Sequence, residues 1–165
     1  MKDPVLLAAT QDTVWNYPVY KADKWPDGTP RTHCNQAALA VANGVGCKEI
    51  DPPEGGELFT ADQLYFILQR ASVNFSQIEI EYCQDYANQG TLIFAISPSW
   101  LLGESHGHIV SITPGKTVLS EVMRGPVPVC MNISTAAFSS RLIGINWAFP
   151  LKKSVPHFFA WKESL

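Results

Sequence analysis

The chain has 165 residues, of which 46% are hydrophobic, and this predicts a single domain over residues 1–165 with an apolar core. Its formal net charge is −3, and its 12 Lys and Arg residues are scattered along the chain, which argues against a nucleic-acid partner. A helix that spans a bilayer needs about 20 consecutive apolar residues. Since no run approaches that length, we expect no membrane span.

The start of the chain has too short an apolar stretch for a secretory signal peptide. The cysteines, at Cys34, Cys47, Cys83 and Cys130, lie far apart, with neither a C-x-x-C pair nor the His spacing of a zinc finger. We therefore expect no metal and no cofactor. We also expect mostly free thiols, because a chain of this length does not need disulfides to stabilise its fold.

Residues 1–33 contain several aromatic residues among Pro and Gly, which predicts an irregular loop with little regular structure. The aromatic side chains from Trp15 to Trp25 have two interpretations at this point. They either line a substrate groove or pack at a loop-rich edge of the domain.

The next segment, residues 32–46, predicts a helix. Thr32 can cap its start, its middle is rich in Ala, and Gly44 or Gly46 can end it. Cys34 then falls in the first turn of this helix.

Two further helices and a run of strands are predicted after it. The capping-box pattern of Thr60 and Gln63 predicts a second helix through Ala71, and a short third helix is expected over residues 84–88. Strands are predicted at residues 91–97, 108–113, 117–122, 127–131 and 157–161, with a tight turn at 114–116. Helices followed by strands favour an α+β fold, with an antiparallel sheet packed against the helix that carries Cys34.

Cys34 is the candidate nucleophile. A thiol attacks as its thiolate, and the unpaired N–H groups and macrodipole at a helix N-terminus favour that negative charge. The alternative is that Cys34 is a small buried hydrophobic residue on an Ala-rich helix. The other three cysteines lie at element edges or within a strand, where they are interpreted as structural.

A general base for Cys34 is expected at His108, which begins a strand after a Gly-containing loop. His106 is the competing base, but the start of a strand fixes the direction of a side chain better than a loop does. His33 adjoins Cys34 and points about 100° away from it on a helix, so we expect it to flank the site. His157, in an apolar aromatic stretch, is expected to be a packing residue.

A third group must hold the base in its working tautomer, and two residues compete for that role. Asn132 ends a predicted strand that could return to His108. Glu121 would reach His108 if residues 108–122 formed a hairpin that turns at 114–116. We favour Asn132 narrowly and leave both open.

Four segments carry a resemblance to a known group of enzymes. They are Thr-His-Cys-Asn-Gln-Ala-Ala at residues 32–38, Ala-Asn-Gln-Gly-Thr-Leu-Ile-Phe-Ala at 87–95, Gly-His-Ile-Val-Ser-Ile-Thr-Pro-Gly at 107–115, and Val-Pro-Val-Cys-Met-Asn-Ile at 127–133. In their order and spacing they resemble the papain-like peptidoglycan hydrolases and amidases of bacteria and phages, which include CHAP and NlpC-type domains. The resemblance implies a papain-like α+β fold and a cysteine peptidase or amidase in which Cys34 and His108 act together, with Asn132 or Glu121 as the third residue.

The resemblance also implies a peptide or peptidoglycan substrate and a site of action outside the cytoplasm, as a secreted, periplasmic or phage-released protein. We expect a monomer, and an inhibitor or immunity protein is a further partner to test if the protein is a toxin effector rather than an endolysin. Two other functions stay open. They are a catalytically inactive binding module on the same fold, and an enzyme that passes the acyl group to an amine instead of water.

Overall fold

The computed structural model of the protein describes residues 2–21, 23–24, 26, 30–31, 33–70, 72–134, 139–150 and 155–164. The α-helices are α1 (Pro4–Asn16), α2 (Cys34–Gly44), α3 (Ala61–Leu68), α4 (Ile80–Asn88), α5 (Ser99–Leu102) and α6 (Ile145–Ala148). The strands are β1 (Asp23–Lys24), β2 (Pro30–Arg31), β3 (Phe75–Ile78), β4 (Ile93–Ser97), β5 (His108–Ile112), β6 (Val118–Ser120), β7 (Gly125–Val127), β8 (Val129–Asn132), β9 (Ser140–Gly144) and β10 (His157–Trp161). Short 3₁₀ turns lie at Pro18–Tyr20 and Lys162–Ser164.

A six-stranded sheet of order β3-β10-β4-β5-β8-β9 organises these elements. Each neighbouring pair in it is antiparallel, and α2 packs against β5. Two small hairpins, β1 with β2 and β6 with β7, lie apart from this sheet. The predicted α+β class, with an antiparallel sheet against the cysteine-bearing helix, is confirmed at this level.

Side chains alternate between the two faces of a strand, and β4 shows how this divides the core. Phe94 and Ile96 belong to a cluster that also contains buried residues of α1, α2 and α3. Ile93 and Ala95 belong to a second cluster, with buried residues of α4 and α6. All residues of β4 are buried, so the sheet is covered on both faces at its centre.

The prediction that residues 1–33 are irregular is wrong for the stretch that forms α1. Asp3 caps this helix, since its carboxylate accepts two backbone N–H groups of the first turn at 2.9 Å, and Pro4 occupies the first turn. Leu7, Gln11 and Val14 are buried at helical spacing, and Gln11 donates to the Ser111 hydroxyl and the Ile112 carbonyl of β5, each at 2.9 Å. The Pro and aromatic content of the segment concealed this pattern.

The helix predictions hold in part. The capping box is confirmed, because Thr60 accepts from the Gln63 backbone at 3.2 Å and Gln63 returns a bond to the Thr60 backbone at 2.8 Å. The helix it opens ends at Leu68, and Ala71 lies outside the described residues. Thr32 also lies outside them, and the residue that precedes α2 is His33.

The predicted hairpin over residues 108–122 is wrong. Among the described strands, β6 pairs with β7, while β5 pairs with β4 and β8. Thr113 donates its N–H to Val129 at 2.9 Å, and Gly115 donates to the Asn88 side chain at 2.7 Å. These bonds tie the chain after β5 to β8 and α4, so it does not fold back along β5.

The predicted strand at 127–131 is divided into β7 and β8 at Pro128, which has no N–H to donate to a ladder. Strands β3 and β9 were not predicted, because each is short and partly polar. None of the helices within the described ranges is both long and apolar enough to cross a membrane.

Candidate active site

Cys34 is the first residue of α2, as predicted, and its side chain is buried. The first bond within the helix joins the Ala37 N–H to the His33 carbonyl at 2.9 Å. The N–H groups that precede such a bond have no partner within their own helix, and the helix dipole places positive potential there. The neighbouring Asn35 donates to the Phe59 carbonyl at 2.6 Å, which ties this helix start to the segment before α3.

His108 is the first residue of β5, where it pairs with Ser97 of β4. Its Nε2 lies 2.7 Å from Oδ1 of Asn132, which is the last residue of β8 and is almost fully buried. A carbonyl oxygen only accepts, so Nε2 carries the proton in this bond. This arrangement leaves Nδ1 as the ring nitrogen that can face Cys34.

The side chains of Cys34 and His108 are hydrogen-bonded to each other. Burial acts to lower the pKa of His108, but the hydrogen bond and the charge of Cys34 raise it, and Asn132 and Glu104 raise it further. The net result is a pKa above the ordinary value of about 6.5. The surroundings of His108 therefore favour the imidazolium form beside the sulfur, which is the pairing that a thiolate nucleophile needs.

Phe149 packs against the ring of His108, with the ring centroids 5.2 Å apart and the planes tilted by 51°. Phe149 is itself buried, and its N–H closes the last turn of α6 by donating to Ile145 at 3.0 Å. The contact supports one side of the His108 ring. Sequence reasoning missed Phe149, because it lies far along the chain from both residues and no local motif marks it.

Glu121, the alternative third residue, lies in the exposed turn that joins β6 to β7. The hairpin that would have brought it to His108 is not formed, as described above. Of the two candidates that the sequence offers, the structure brings Asn132 into contact with His108. Another carboxylate, that of Glu104, acts on the charge of His108 from the loop before β5.

The other histidines, which the sequence analysis considered beside His108, lie in different surroundings from it. His106 is exposed in the loop before β5. His33 is buried, and its Nδ1 donates to the Gln36 side chain at 2.7 Å. His157 packs edge-on against Tyr65, with ring centroids 5.2 Å apart, as expected of a packing residue.

The remaining cysteines are buried, and none of the four cysteines forms a disulfide within the described part of the chain. Burial raises the pKa of Cys47 to about 11, and it raises the pKa values of Cys83 and Cys130 further. Such thiols stay protonated at neutral pH and are poor nucleophiles. Their surroundings fit the structural interpretation made from the sequence.

The aromatic segment from Trp15 to Trp25 is partly described. Trp15 lies in α1 and packs against the core, and the Lys21 ammonium sits 3.9 Å from the centroid of its ring. Tyr17 and Tyr20 are in ring contact with each other. These contacts favour packing over a groove wall for these three aromatic residues, and Trp25 lies outside the described residues.

Among the residues that the structure describes, no group of three or more His, Cys, Asp and Glu side chains could hold a metal ion. The arrangement of Cys34, His108 and Asn132 is suited to nucleophilic attack by sulfur, with proton transfer through the imidazole. No model of a known protein family and no curated protein matches this chain. The resemblance to CHAP and NlpC-type hydrolases therefore stays a prediction from the four segments.

Proposed function

We propose that this protein is a papain-like cysteine hydrolase that cleaves a peptide or amide bond, with Cys34 as nucleophile, His108 as general base and acid, and Asn132 as the residue that orients the base. The observation that carries the proposal is the chain of contacts from Cys34 through His108 to Asn132. The three groups are a buried thiol, a histidine with a raised pKa and a buried amide, and they come from three different elements. Packing alone does not require such groups to contact one another.

In the first half of the proposed reaction, the Cys34 thiolate attacks the carbonyl carbon and forms a tetrahedral intermediate. Backbone N–H groups at the start of α2 stabilise its oxyanion, because they point along the positive end of the helix dipole. The imidazolium of His108 gives its proton to the nitrogen of the scissile bond as that bond breaks. The amine leaves, and the acyl group stays on Cys34 as a thioester.

In the second half, neutral His108 takes a proton from water, and the hydroxide attacks the thioester carbonyl. The thioester bond breaks, the acid product leaves, and Cys34 returns to the thiolate beside the imidazolium. Asn132 holds the ring through Nε2 in both halves, so the exchanging proton stays on the side that faces Cys34.

The substrate class that we propose is peptidoglycan, or another peptide or amide of the cell wall. This part rests on the resemblance of residues 32–38, 87–95, 107–115 and 127–133 to CHAP and NlpC-type hydrolases. On the same ground we propose that the protein acts outside the cytoplasm, as an endolysin or a toxin effector.

The test is release of soluble peptide from purified peptidoglycan, measured by mass spectrometry, with alkylation of Cys34 by iodoacetamide followed in parallel. We expect the parent to release peptide and to be alkylated well below the ordinary thiol pKa of about 8.5. Cys34→Ala should abolish both reactions, and His108→Ala should lower both by about 100-fold or more. Cys47→Ala is the matched control, since it removes a buried thiol that lies just beyond the C-terminal end of the same helix.

Two outcomes would contradict the proposal and assign a different function. A product that carries an added amine would assign acyl transfer instead of hydrolysis. A Cys34 that alkylates slowly with and without His108, together with no turnover, would assign a binding module on this fold.

A further inference from the structure

Asp62, the second residue of α3, holds one end of the connection between β4 and β5, residues 98–107. Its Oδ1 accepts the backbone N–H of Ser99 at 2.8 Å, and its Oδ2 accepts the hydroxyl of Ser99 at 2.6 Å. Both bonds are partly buried, and bonds to an ionised acceptor are stronger than neutral ones. The start of α5 is therefore fixed to the start of α3.

The other end of the same connection packs against the same carboxylate. A Cβ placed on Gly107 would overlap Oδ1 of Asp62, and it would come within 3.1 Å of the Ser97 carbonyl and 3.2 Å of the Ala61 Cβ. Only glycine fits at this position without a shift of its neighbours. Gly107 immediately precedes His108, so this contact sets where β5 begins.

Asp62 is in turn held by its own helix. The capping box of Thr60 and Gln63 fixes the first turn of α3, and α3 packs on both β4 and β5. A rigid support on one side and two contacts on the other make Asp62 a fixed point for residues 98–107. That connection also carries Glu104, whose charge raises the pKa of His108.

We propose that Asp62 is a positioning residue for His108, which acts by fixing Ser99 and Gly107 at the two ends of the connection that places His108 against Cys34. The inference rests on the proposed function, because it assigns Asp62 to the same Cys34–His108 pair. Asp62 acts through the backbone before β5 and does not touch the reacting atoms.

The central variant is Asp62→Ala, compared with the parent by three measurements. They are the pH dependence of Cys34 alkylation, the NMR titration of the His108 ring, and thermal unfolding. Since a displacement of about 1 Å at a catalytic group can cost about 100-fold, we expect alkylation below the ordinary thiol pKa to fall by about 10-fold or more. We also expect the titration of His108 to move to lower pH, as its contacts with Cys34 and Glu104 loosen.

Two further variants separate positioning from stability. Ile67→Val removes one methylene from a buried residue towards the other end of the same helix and keeps the bonds between Asp62 and Ser99, so it should lower the unfolding temperature and leave both pH profiles unchanged from the parent. Asp62→Asn should restore most of the loss, because its amide oxygen can accept from the Ser99 N–H and its amide nitrogen can donate to the Ser99 hydroxyl.

Gly107→Ala tests the second contact. In the parent background the added methyl meets Asp62 and must displace the start of β5, so alkylation should fall as it does in Asp62→Ala. In the Asp62→Ala background the most severe overlap is gone. The effect of Gly107→Ala should therefore be smaller there, and the double variant should lose less than the two single losses combined.

The inference is overturned if Asp62→Ala matches Ile67→Val, with a lower unfolding temperature and unchanged pH profiles. It is also overturned if the effects of Asp62→Ala and Gly107→Ala are independent. Failure of the proposed function gives a different result, since alkylation of the parent would then not depend on His108. In that case the NMR titration of His108 in Asp62→Ala still decides whether Asp62 positions the ring.

Discussion

Two helices of this protein carry a cysteine in or near their first turn, and the two thiols have opposite surroundings. Cys34 begins α2, whose first turn, described in full, contains no acidic residue, and its thiol contacts His108. Cys83 lies in α4 one turn after Glu79, and its thiol donates to the Glu79 carbonyl at 3.4 Å. Burial raises the pKa of Cys83, and the charges of Glu81 and Glu79 raise it further.

A helix N-terminus alone therefore does not lower the pKa of a thiol. The dipole of α4 also favours negative charge near its start, yet burial and two nearby carboxylates oppose ionisation of Cys83. At α2 the neighbouring group is a histidine whose pKa is raised in part by Cys34 itself. The imidazole and the amide that holds it therefore distinguish the two thiols more than the helix position does.

Apart from Cys34 and His108 themselves, the residue whose substitution should change this difference most is Asn132, replaced in Asn132→Ala. The variant removes the bond at Nε2 of His108, so the ring can rotate and its pKa falls, because that bond contributes to raising it. We expect peptide release to fall by about 10-fold to about 100-fold, and Cys34 alkylation to move towards the pH dependence of an ordinary thiol.

The control for Asn132→Ala is Ile133→Val, which removes one methylene from the adjacent buried residue. It should cost about 1 kcal/mol of unfolding free energy while leaving peptide release near that of the parent. Equal activity in Asn132→Ala and the parent would show that Asn132 does not orient His108.

Sequence reasoning reached the local parts of this site. Cys34 at a helix start, the capping box of Thr60, and a strand over residues 157–161 each depend on neighbouring residues, and the structure agrees with them. The start of a strand at His108 was also marked locally, by the glycine before it and the apolar residues after it.

The parts that the sequence left open or did not mark depend on contacts between distant segments. Whether Asn132 or Glu121 reaches His108 is decided by pairing of β5 with β8, and the bonds that exclude the hairpin come from α4 and β8. Phe149 and Asp62 are distant in sequence from the strands that they support, so no spacing in the sequence marks them. A sequence considered without its folded contacts contains no local pattern that marks which distant residues will lie together.

A smaller effect is expected from Glu104→Gln, which changes a charge near His108 without removing a contact of Cys34. Glu104 contributes to raising the pKa of His108, so its neutralisation lowers that pKa. In the proposed reaction the imidazolium protonates the leaving amine, so activity is expected to be lost as the pH rises through the pKa of His108. In Glu104→Gln this alkaline loss should begin at lower pH, by less than about one unit, since Glu104 is exposed.

Glu121→Gln is the matched control for Glu104→Gln, because it removes the same charge from an exposed turn, and Glu121 is not among the groups that raise the pKa of His108. Its pH profile should coincide with that of the parent. The shift in Glu104→Gln should also shrink at high salt, as expected for a solvent-exposed charge. A shift of the same size in both variants would mean that net charge, rather than the position of Glu104, controls His108.

The smallest effect is expected from the double variant Glu79→Gln, Glu81→Gln, which gives α4 a first turn as free of acidic residues as that of α2. The change removes the two charges that raise the pKa of Cys83, but burial is the larger cause and is left in place. Cys83 also has no histidine among the groups that act on its charge, within the part of the chain that the structure describes. Cys83 should therefore stay unreactive to iodoacetamide in the folded protein, as judged by mass spectrometry of the alkylated peptides, while Cys34 reacts as in the parent. Alkylation of Cys83 at the rate of Cys34 would instead mean that acidic residues near the helix start, and not the imidazole partner, separate the two thiols.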